Sequence, residues 1–161
     1  MERRIRHIVS ACQSARTDGE PVAILDVGCG DGAIIDYVNE SGTYSYQGID
    51  VSSEMIELGK KRHPTHDLTV GSFPDSVPED EQFDTILFNG SLQFFKDTWQ
   101  TLVDASEKLK MVPGSRIVLS HVNNAKFVKG ECRSSMGVAV RNMPNKVSLE
   151  NYAYNLGMKV L

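Results

Sequence analysis

Residues 22–33 read Val-Ala-Ile-Leu-Asp-Val-Gly-Cys-Gly-Asp-Gly-Ala, and this stretch decides the fold. The apolar run at its start, residues 22–25, predicts a buried strand. Three glycines follow at alternate positions, Gly28, Gly30 and Gly32. There the backbone can turn sharply and approach a ligand closely, because no Cβ intervenes. Apolar residues 33–35 then open a predicted helix, so the stretch has the pattern of the first half of a nucleotide-binding βαβ unit.

The charges around the glycine turn separate two classes of ligand. Residues 28–33 fit the dinucleotide fingerprint with alanine in the last place. However, Asp26 precedes the first glycine by two residues, and Asp31 lies inside the turn. Like charges a few ångströms apart cost on the order of 1–4 kcal/mol near a surface, so a pyrophosphate is disfavoured. A ligand with a cationic amine and a sulfonium is attracted, which favours S-adenosylmethionine over NAD.

A second acidic position lies one strand further along the chain. Residues 44–49 predict a strand that ends in Asp50, 20 residues beyond Gly30. This spacing places a carboxylate at the tip of the neighbouring strand, where it can accept hydrogen bonds from ribose hydroxyls. Because NAD and S-adenosylmethionine both contain a ribose, Asp50 does not distinguish them.

Two motifs carry a family resemblance. Ile24-Leu25-Asp26-Val27-Gly28-Cys29-Gly30-Asp31-Gly32 resembles the first motif of class I S-adenosylmethionine-dependent methyltransferases, and Gly48-Ile49-Asp50-Val51-Ser52 resembles their second. The resemblance implies a Rossmann-like, doubly wound, mostly parallel α/β sheet with helices on both faces. It also implies that the cofactor is held by Asp26, Gly28, Cys29, Gly30, Asp50 and Val51, with Val51 beside the adenine.

The segment after the third predicted strand, residues 67–71, departs from the family pattern. The family usually has an acidic residue there that bonds the adenine amino group, and this chain has Ser72. A hydroxyl can accept the same bond, though more weakly than a carboxylate. We therefore expect Ser72 and Phe73 to take part in adenine recognition.

The tip of the fourth predicted strand, residues 83–89, is expected beside the reactive methyl group. In an open α/β sheet the ligand crevice lies at the carboxyl ends of the strands, where the strand order reverses. This topology places Asn89 and Ser91 at the site. Phe94 and Phe95 are candidates for the substrate pocket, with one of the two expected in the core.

No catalytic residue is assigned by the sequence alone. Methyl transfer is an in-line displacement in which the protein mainly binds, orients and desolvates the reactants, so no triad is expected. His121, at the tip of the fifth predicted strand (residues 116–121), is the candidate base if the acceptor must lose a proton. Cys29 is interpreted as a small residue in the glycine turn, and no metal-ligand spacing is present.

The chain as a whole predicts one domain over residues 1–161. The N-terminal segment, residues 1–18, is predicted to contain an amphipathic helix over 3–16. Residues 122–147 are predicted to form a substrate-side insertion, which contains five basic residues and a single acidic residue, Glu131. We hypothesise that this insertion recognises a carboxylate or phosphate; a solvated loop is the alternative. A last helix is predicted from Ser148 to Leu156, and 158–161 as the start of a sixth strand. The final antiparallel strand of the family is not accounted for, so an uncovered sheet edge could support a homodimer.

Composition narrows the functional classes. The net charge of −4 argues against a dedicated nucleic-acid binder, and no apolar stretch is long enough to cross a bilayer. We expect a cytoplasmic enzyme that methylates a small, acidic acceptor. Two alternatives remain: a non-catalytic or truncated domain that binds S-adenosylmethionine or S-adenosylhomocysteine, and an NAD-dependent oxidoreductase, which Asp26 and Asp31 oppose.

Overall fold

The computed structural model describes residues 2–12, 19–41, 44–121 and 143–161. Five strands form its sheet: β1 (Val22–Val27), β2 (Tyr44–Asp50), β3 (Asp67–Val70), β4 (Thr85–Asn89) and β5 (Arg116–Ser120). In these described ranges the α-helices are α1 (Glu2–Ala11), α2 (Ile35–Ser41), α3 (Ser53–Arg62), α4 (Thr98–Glu107) and α5 (Lys146–Asn155). Among these described residues, no helix is long and apolar enough to cross a membrane.

The sheet has the order β3-β2-β1-β4-β5, and every neighbouring pair is parallel. The chain moves outward from β1 to β3 and then returns to place β4 on the other side of β1. The order therefore reverses between β1 and β4, which is where open α/β sheets bind ligands, at the carboxyl ends of the strands. The predicted Rossmann-like, doubly wound fold is confirmed.

Alternate residues of the central strands feed two separate cores, one on each face of the sheet. Ile24 and Tyr46 belong to the first core, together with apolar residues of α1 and α2. Leu25 and Ile49 belong to the second, which lies on the opposite face. Both sets are almost completely buried, as expected for strands that are covered on two sides.

Helix α1 runs antiparallel to the strands across the first face. Near its end, the carbonyl of Cys12 accepts a hydrogen bond from the Thr85 hydroxyl at the start of β4. Near its beginning, Arg4 reaches the tips of β4 and β5. The helix ends at Ala11, earlier than the predicted residue 16, and residues 13–18 lie outside the described part of the chain.

Local capping signals were decisive for two helices and misleading for a third. The Ser52 hydroxyl caps α3, and the Asp97 carboxylate caps α4; serine and aspartate are both preferred N-cap residues. Helix α5 begins at Lys146, before the predicted Ser148. Its N-cap is Asn145, whose side-chain Oδ1 accepts the backbone N–H of Ser148.

The predicted sixth strand at 158–161 is wrong, since these residues form no regular structure. Met158 instead donates its N–H to the Ala153 carbonyl at the end of α5, and its side chain packs against the second core. These contacts hold the segment against the helix that precedes it, so it does not extend along the sheet.

A buried carboxylate joins β1 to β4 at the end of the sheet opposite the ligand crevice. Asp84 is fully buried, and its Oδ2 accepts hydrogen bonds from the backbone N–H of Ala23 and from Nζ of Lys110, both at 2.9 Å. The Asp84 carbonyl also accepts the N–H of Arg116 at the start of β5. These contacts help set the order of the three strands on which the site depends.

We expect Lys110→Met to destabilise the domain, because it removes a cationic partner from a carboxylate that water does not reach. Loss of one partner from a buried pair costs about 3–5 kcal/mol, and the partial exposure of Lys110 reduces this to about 2–3 kcal/mol. Urea unfolding measures the change. The exposed Lys61→Met is the control and should change stability by less than about 0.5 kcal/mol. Equal stabilities for the two variants would contradict the role given to Asp84.

Candidate active site

The glycine turn after β1 is closed by hydrogen bonds to the end of β2. The backbone N–H groups of Gly28 and Cys29 both donate to the Ile49 carbonyl, at 2.8 and 3.1 Å. The N–H of Gly30 donates to Oδ2 of Asp50 at 2.8 Å, and that of Gly32 donates to the Cys29 carbonyl. The N–H groups at all four of these positions are therefore engaged within the protein.

The closed turn disfavours a dinucleotide because of its hydrogen bonding as well as its charge. A phosphate-binding turn presents unpaired N–H groups to its ligand, and here those of the three glycines already have acceptors. Of the two acids at the turn, Asp31 forms an ion pair with Arg62 of α3, so its charge is compensated within the protein. Asp26 is thus the acid of the turn that lacks a cationic partner among the described residues.

Asp26 is held below the turn by a tyrosine that the sequence analysis missed. Its carboxylate is 2% exposed, and its Oδ2 accepts a hydrogen bond from the Tyr46 hydroxyl at 2.9 Å. Its Oδ1 is buried and has no hydrogen-bond partner among the described residues. Burying a carboxylate oxygen without a hydrogen-bond donor costs free energy, so a ligand that brings a cation or a donor is favoured at this position.

Burial raises the pKa of Asp26 to about 7, while the hydrogen bond from Tyr46 acts in the opposite direction. The negative charge of Asp50 adds to the rise. Burial also raises the pKa of the neighbouring thiols, that of Cys12 to about 12 and that of Cys29 further. Cys29 therefore stays a neutral thiol at physiological pH, in agreement with its interpretation as a small packing residue.

Asp50 links the turn to the beginning of α3. Its Oδ2 accepts the Gly30 N–H, and its Oδ1 accepts the N–H of Ser52 at 2.9 Å. Each carboxylate oxygen has a second lone pair, so the group can still accept hydroxyl hydrogens while it holds the turn. Val51 follows with 75% of its surface exposed, which leaves an apolar side chain at the edge of the crevice.

The residues expected at the adenine lie after β3. Ser72 is exposed, and its hydroxyl donates to Oδ2 of Asp75 at 3.4 Å. Phe73 is buried in the second core, where its ring packs edge-on against Phe88 at a centroid distance of 5.9 Å. The Phe73 side chain is thus committed to the core, and its backbone is the part that can face a ligand.

The tips of β4 and β5 complete the edge. Ser91 is buried, and its hydroxyl donates to the Val27 carbonyl beneath the glycine turn. Asn89 accepts a hydrogen bond from Arg4, and His121 follows β5 in a half-buried position. Phe94 is 46% exposed, whereas Phe95 packs against Phe88 at 5.8 Å, so this pair divides between surface and core as expected.

Comparison with known proteins agrees with this geometry. A family model described as a methyltransferase domain matches residues 24–112, more than half of the chain. An 18S rRNA (guanine-N(7))-methyltransferase of Mus musculus is 34% identical over 100 residues, which cover 62% of this chain and 33% of the relative. A ubiquinone/menaquinone biosynthesis C-methyltransferase of Geotalea daltonii is 32% identical over 113 residues, covering 65% and 47%.

The fold also matches solved structures. The plantazolicin methyltransferase BpumL in complex with S-adenosylhomocysteine superposes with a TM-score of 0.70 at 16% identity, covering 94% of this chain and 61% of that protein. The chain spans less than half the length of the two curated relatives described above. Because one of those relatives acts on rRNA, the comparisons do not support the expectation that nucleic acid is excluded as an acceptor.

We expect S-adenosylhomocysteine to bind more tightly as the pH rises through about 7, because ionised Asp26 attracts its ammonium group. In Asp26→Asn this rise should be absent. In Tyr46→Phe the midpoint should move to higher pH, because the hydrogen bond that lowers the pKa is lost. Calorimetric titrations between about pH 6 and about pH 9 measure the profile. Tyr44→Phe, two residues earlier in β2, is the control, since the hydroxyl that donates to Asp26 is that of Tyr46; an unchanged midpoint in Tyr46→Phe would refute the assignment.

We expect Gly28→Ala to damage the site more than Gly90→Ala does. Both glycines have a φ of 75°, so both substitutions cost about 1–2 kcal/mol in backbone strain. A Cβ at Gly28 would also lie 2.4 Å from Cβ of Ser91, whereas one at Gly90 meets nothing within 4 Å. Urea unfolding and S-adenosylhomocysteine titration should both show the larger loss for Gly28→Ala. Equal losses would mean that the close approach to Ser91 is not a constraint.

Proposed function

We propose that this chain transfers a methyl group from S-adenosylmethionine to a small acceptor with an acidic group. The chain belongs to the family of class I S-adenosylmethionine-dependent methyltransferase domains. The observation that carries this proposal is the closed glycine turn above a buried, half-satisfied Asp26. The N–H groups of the three glycines are already bonded within the protein and are not available to a pyrophosphate, whereas the Asp26 carboxylate can accept hydrogen bonds from an ammonium group. An NAD-dependent oxidoreductase is disfavoured for the same reason.

The described residues fit the cofactor at three points. We propose that Oδ1 of Asp26 receives the ammonium group, that the free lone pairs of Asp50 receive the ribose hydroxyls, and that the exposed Val51 covers one side of the adenine. Ser72 and the Phe73 backbone would face the rest of the ring. Gly28, Cys29 and Gly30 would give the ligand room to approach the backbone.

In this mechanism the cofactor supplies an activated methyl group with its leaving group attached. The protein holds the acceptor in line and excludes water from the sheet edge. Asn89, the last residue of β4, would lie toward the reacting atoms. His121, one residue beyond β5, would receive a proton where the acceptor has one to lose. An acceptor that is already ionised needs no such base.

The choice of a small, acidic acceptor is supported by charge. Basic residues are concentrated in 122–147, while the rest of the chain is acidic. Arg133 and Arg141 lie outside the described residues, so their contribution is a proposal from the sequence. The relatives include a C-methyltransferase of ubiquinone/menaquinone biosynthesis and an rRNA methyltransferase. An RNA acceptor is therefore the second candidate, favoured by the 34% identity to the rRNA enzyme.

We further propose that residues 1–161 form a single domain, that the protein is cytoplasmic, and that it forms a homodimer through an uncovered sheet edge. The alternative is a domain that binds the cofactor without transferring the methyl group, and an assay of methyl transfer distinguishes the two. Since the chain spans less than half of these relatives, catalysis should be assayed both with this chain and with any longer protein that contains it.

We expect the protein to transfer labelled methyl groups from S-adenosylmethionine to members of a panel of small carboxylic and phosphoric acids, and not to their neutral esters. Total RNA is included as the competing acceptor. Arg133→Ala combined with Arg141→Ala should raise KM for the acids about tenfold and leave cofactor affinity unchanged. Labelling of RNA alone would overturn the acidic small-molecule acceptor, and tight cofactor binding without any transfer would favour the non-catalytic domain.

A further inference from the structure

Arg4 places a positive charge at the tips of β4 and β5. Its Nη1 donates hydrogen bonds to Oδ1 of Asn89 at 3.1 Å and to Oγ of Ser120 at 3.2 Å. Both acceptors are neutral. A guanidinium group has five N–H donors, and these two bonds are the ones that Arg4 makes among the described residues, which leaves three donors for a further partner.

Arg6, on the same helix, has carboxylate partners and serves as a comparison for Arg4. It forms ion pairs with Glu2 and Glu40, at 3.1 and 2.5 Å. Arg4 is half-buried, yet among the described residues no carboxylate lies within ion-pair distance of it. Arg4 also lies in the first turn of α1, where the helix dipole opposes a cation. Its position is thus electrostatically unfavourable until an anion binds.

The three side chains together present donors to the crevice. Because the amide oxygen of Asn89 is occupied by Arg4, the hydrogens of its NH₂ group remain for a ligand. Because the Ser120 hydroxyl oxygen accepts from Arg4, its own hydrogen is left to donate. A cluster of one cation and two neutral donors is suited to a carboxylate or a phosphate and not to a cation.

The position in the sheet indicates which molecule brings the anion. Asp50 lies on β2 and Asp26 on β1, so a cofactor held by these acids occupies that half of the edge. Ser120 lies on β5, two strands beyond β1, at a separation of about 10 Å. The amino and carboxyl groups of the cofactor share one carbon atom, so an ammonium group at Asp26 holds that carboxylate near β1.

We propose that Arg4, Asn89 and Ser120 form the anion-binding subsite of the methyl acceptor. The proposal rests on the proposed function and gives the acidic group of the acceptor a defined place at the β4–β5 edge. Arg4 is a specificity-determining residue in this arrangement, because it sets the charge of the acceptor without taking part in the bond changes at the methyl group.

Titration of the protein saturated with S-adenosylhomocysteine tests the subsite, with malonate and inorganic phosphate as probes. The native protein should bind at least one of them saturably. Arg4→Gln keeps a hydrogen-bond donor but removes the charge, and it should weaken that binding about tenfold or more. Arg4→Lys should recover part of it. Arg3→Gln removes an exposed charge from the same helix and is the matched control, with binding expected to stay within about twofold.

The cofactor's own carboxylate is tested in parallel. The variants are titrated with S-adenosylhomocysteine and with 5′-methylthioadenosine, which lacks the amino-acid part. If Arg4→Gln weakens the first about tenfold and the second not at all, Arg4 binds the cofactor and the acceptor subsite is overturned. Absence of anion binding in the native protein, or equal binding in Arg4→Gln and Arg3→Gln, also overturns it. Arg4-dependent anion binding without methyl transfer to any acid would instead contradict the proposed function and leave the subsite standing.

Discussion

The candidate site depends on the way the end of β2 closes the turn after β1. The Ile49 carbonyl accepts two consecutive N–H groups, and the Asp50 carboxylate accepts a third while it also holds the start of α3. Three elements are thereby fixed around one strand end. The same bonds occupy the backbone groups that would otherwise bind a phosphate, so the closure of the turn determines both its shape and its choice of ligand.

The acids at this edge have different roles because their surroundings differ. Asp31 is neutralised by Arg62, and Asp50 is held by backbone N–H groups. Asp26 is buried, and its Oδ1 has no hydrogen-bond partner in the described part of the chain. Burial raises the pKa of Asp26 to about 7. A charge counted in the sequence is therefore a poor guide to the charge that a ligand meets, since ion pairing and desolvation both change it.

Local signals in the sequence were sufficient for most of the architecture. The apolar runs predicted all five strands, and the caps at Ser52 and Asp97 placed two helices, because both signals act within a few residues. The start of α5 was misplaced, since the N-cap is Asn145 and the predicted Ser148 already lies inside the helix. Residues 158–161 were misjudged, because an apolar segment can pack on a core as easily as it can extend a sheet.

The sequence by itself indicated the family, the cofactor and the acidic positions, because residues 24–32 and 48–52 are two contiguous motifs that resemble those of the family. Only the tertiary structure paired Asp26 with Tyr46 and brought Arg4 to the strand tips. These contacts join residues 20 and 85 positions apart. They follow from strand register and from the angle at which α1 crosses the sheet, which are set by the packing of the whole core and leave no local signal in the chain.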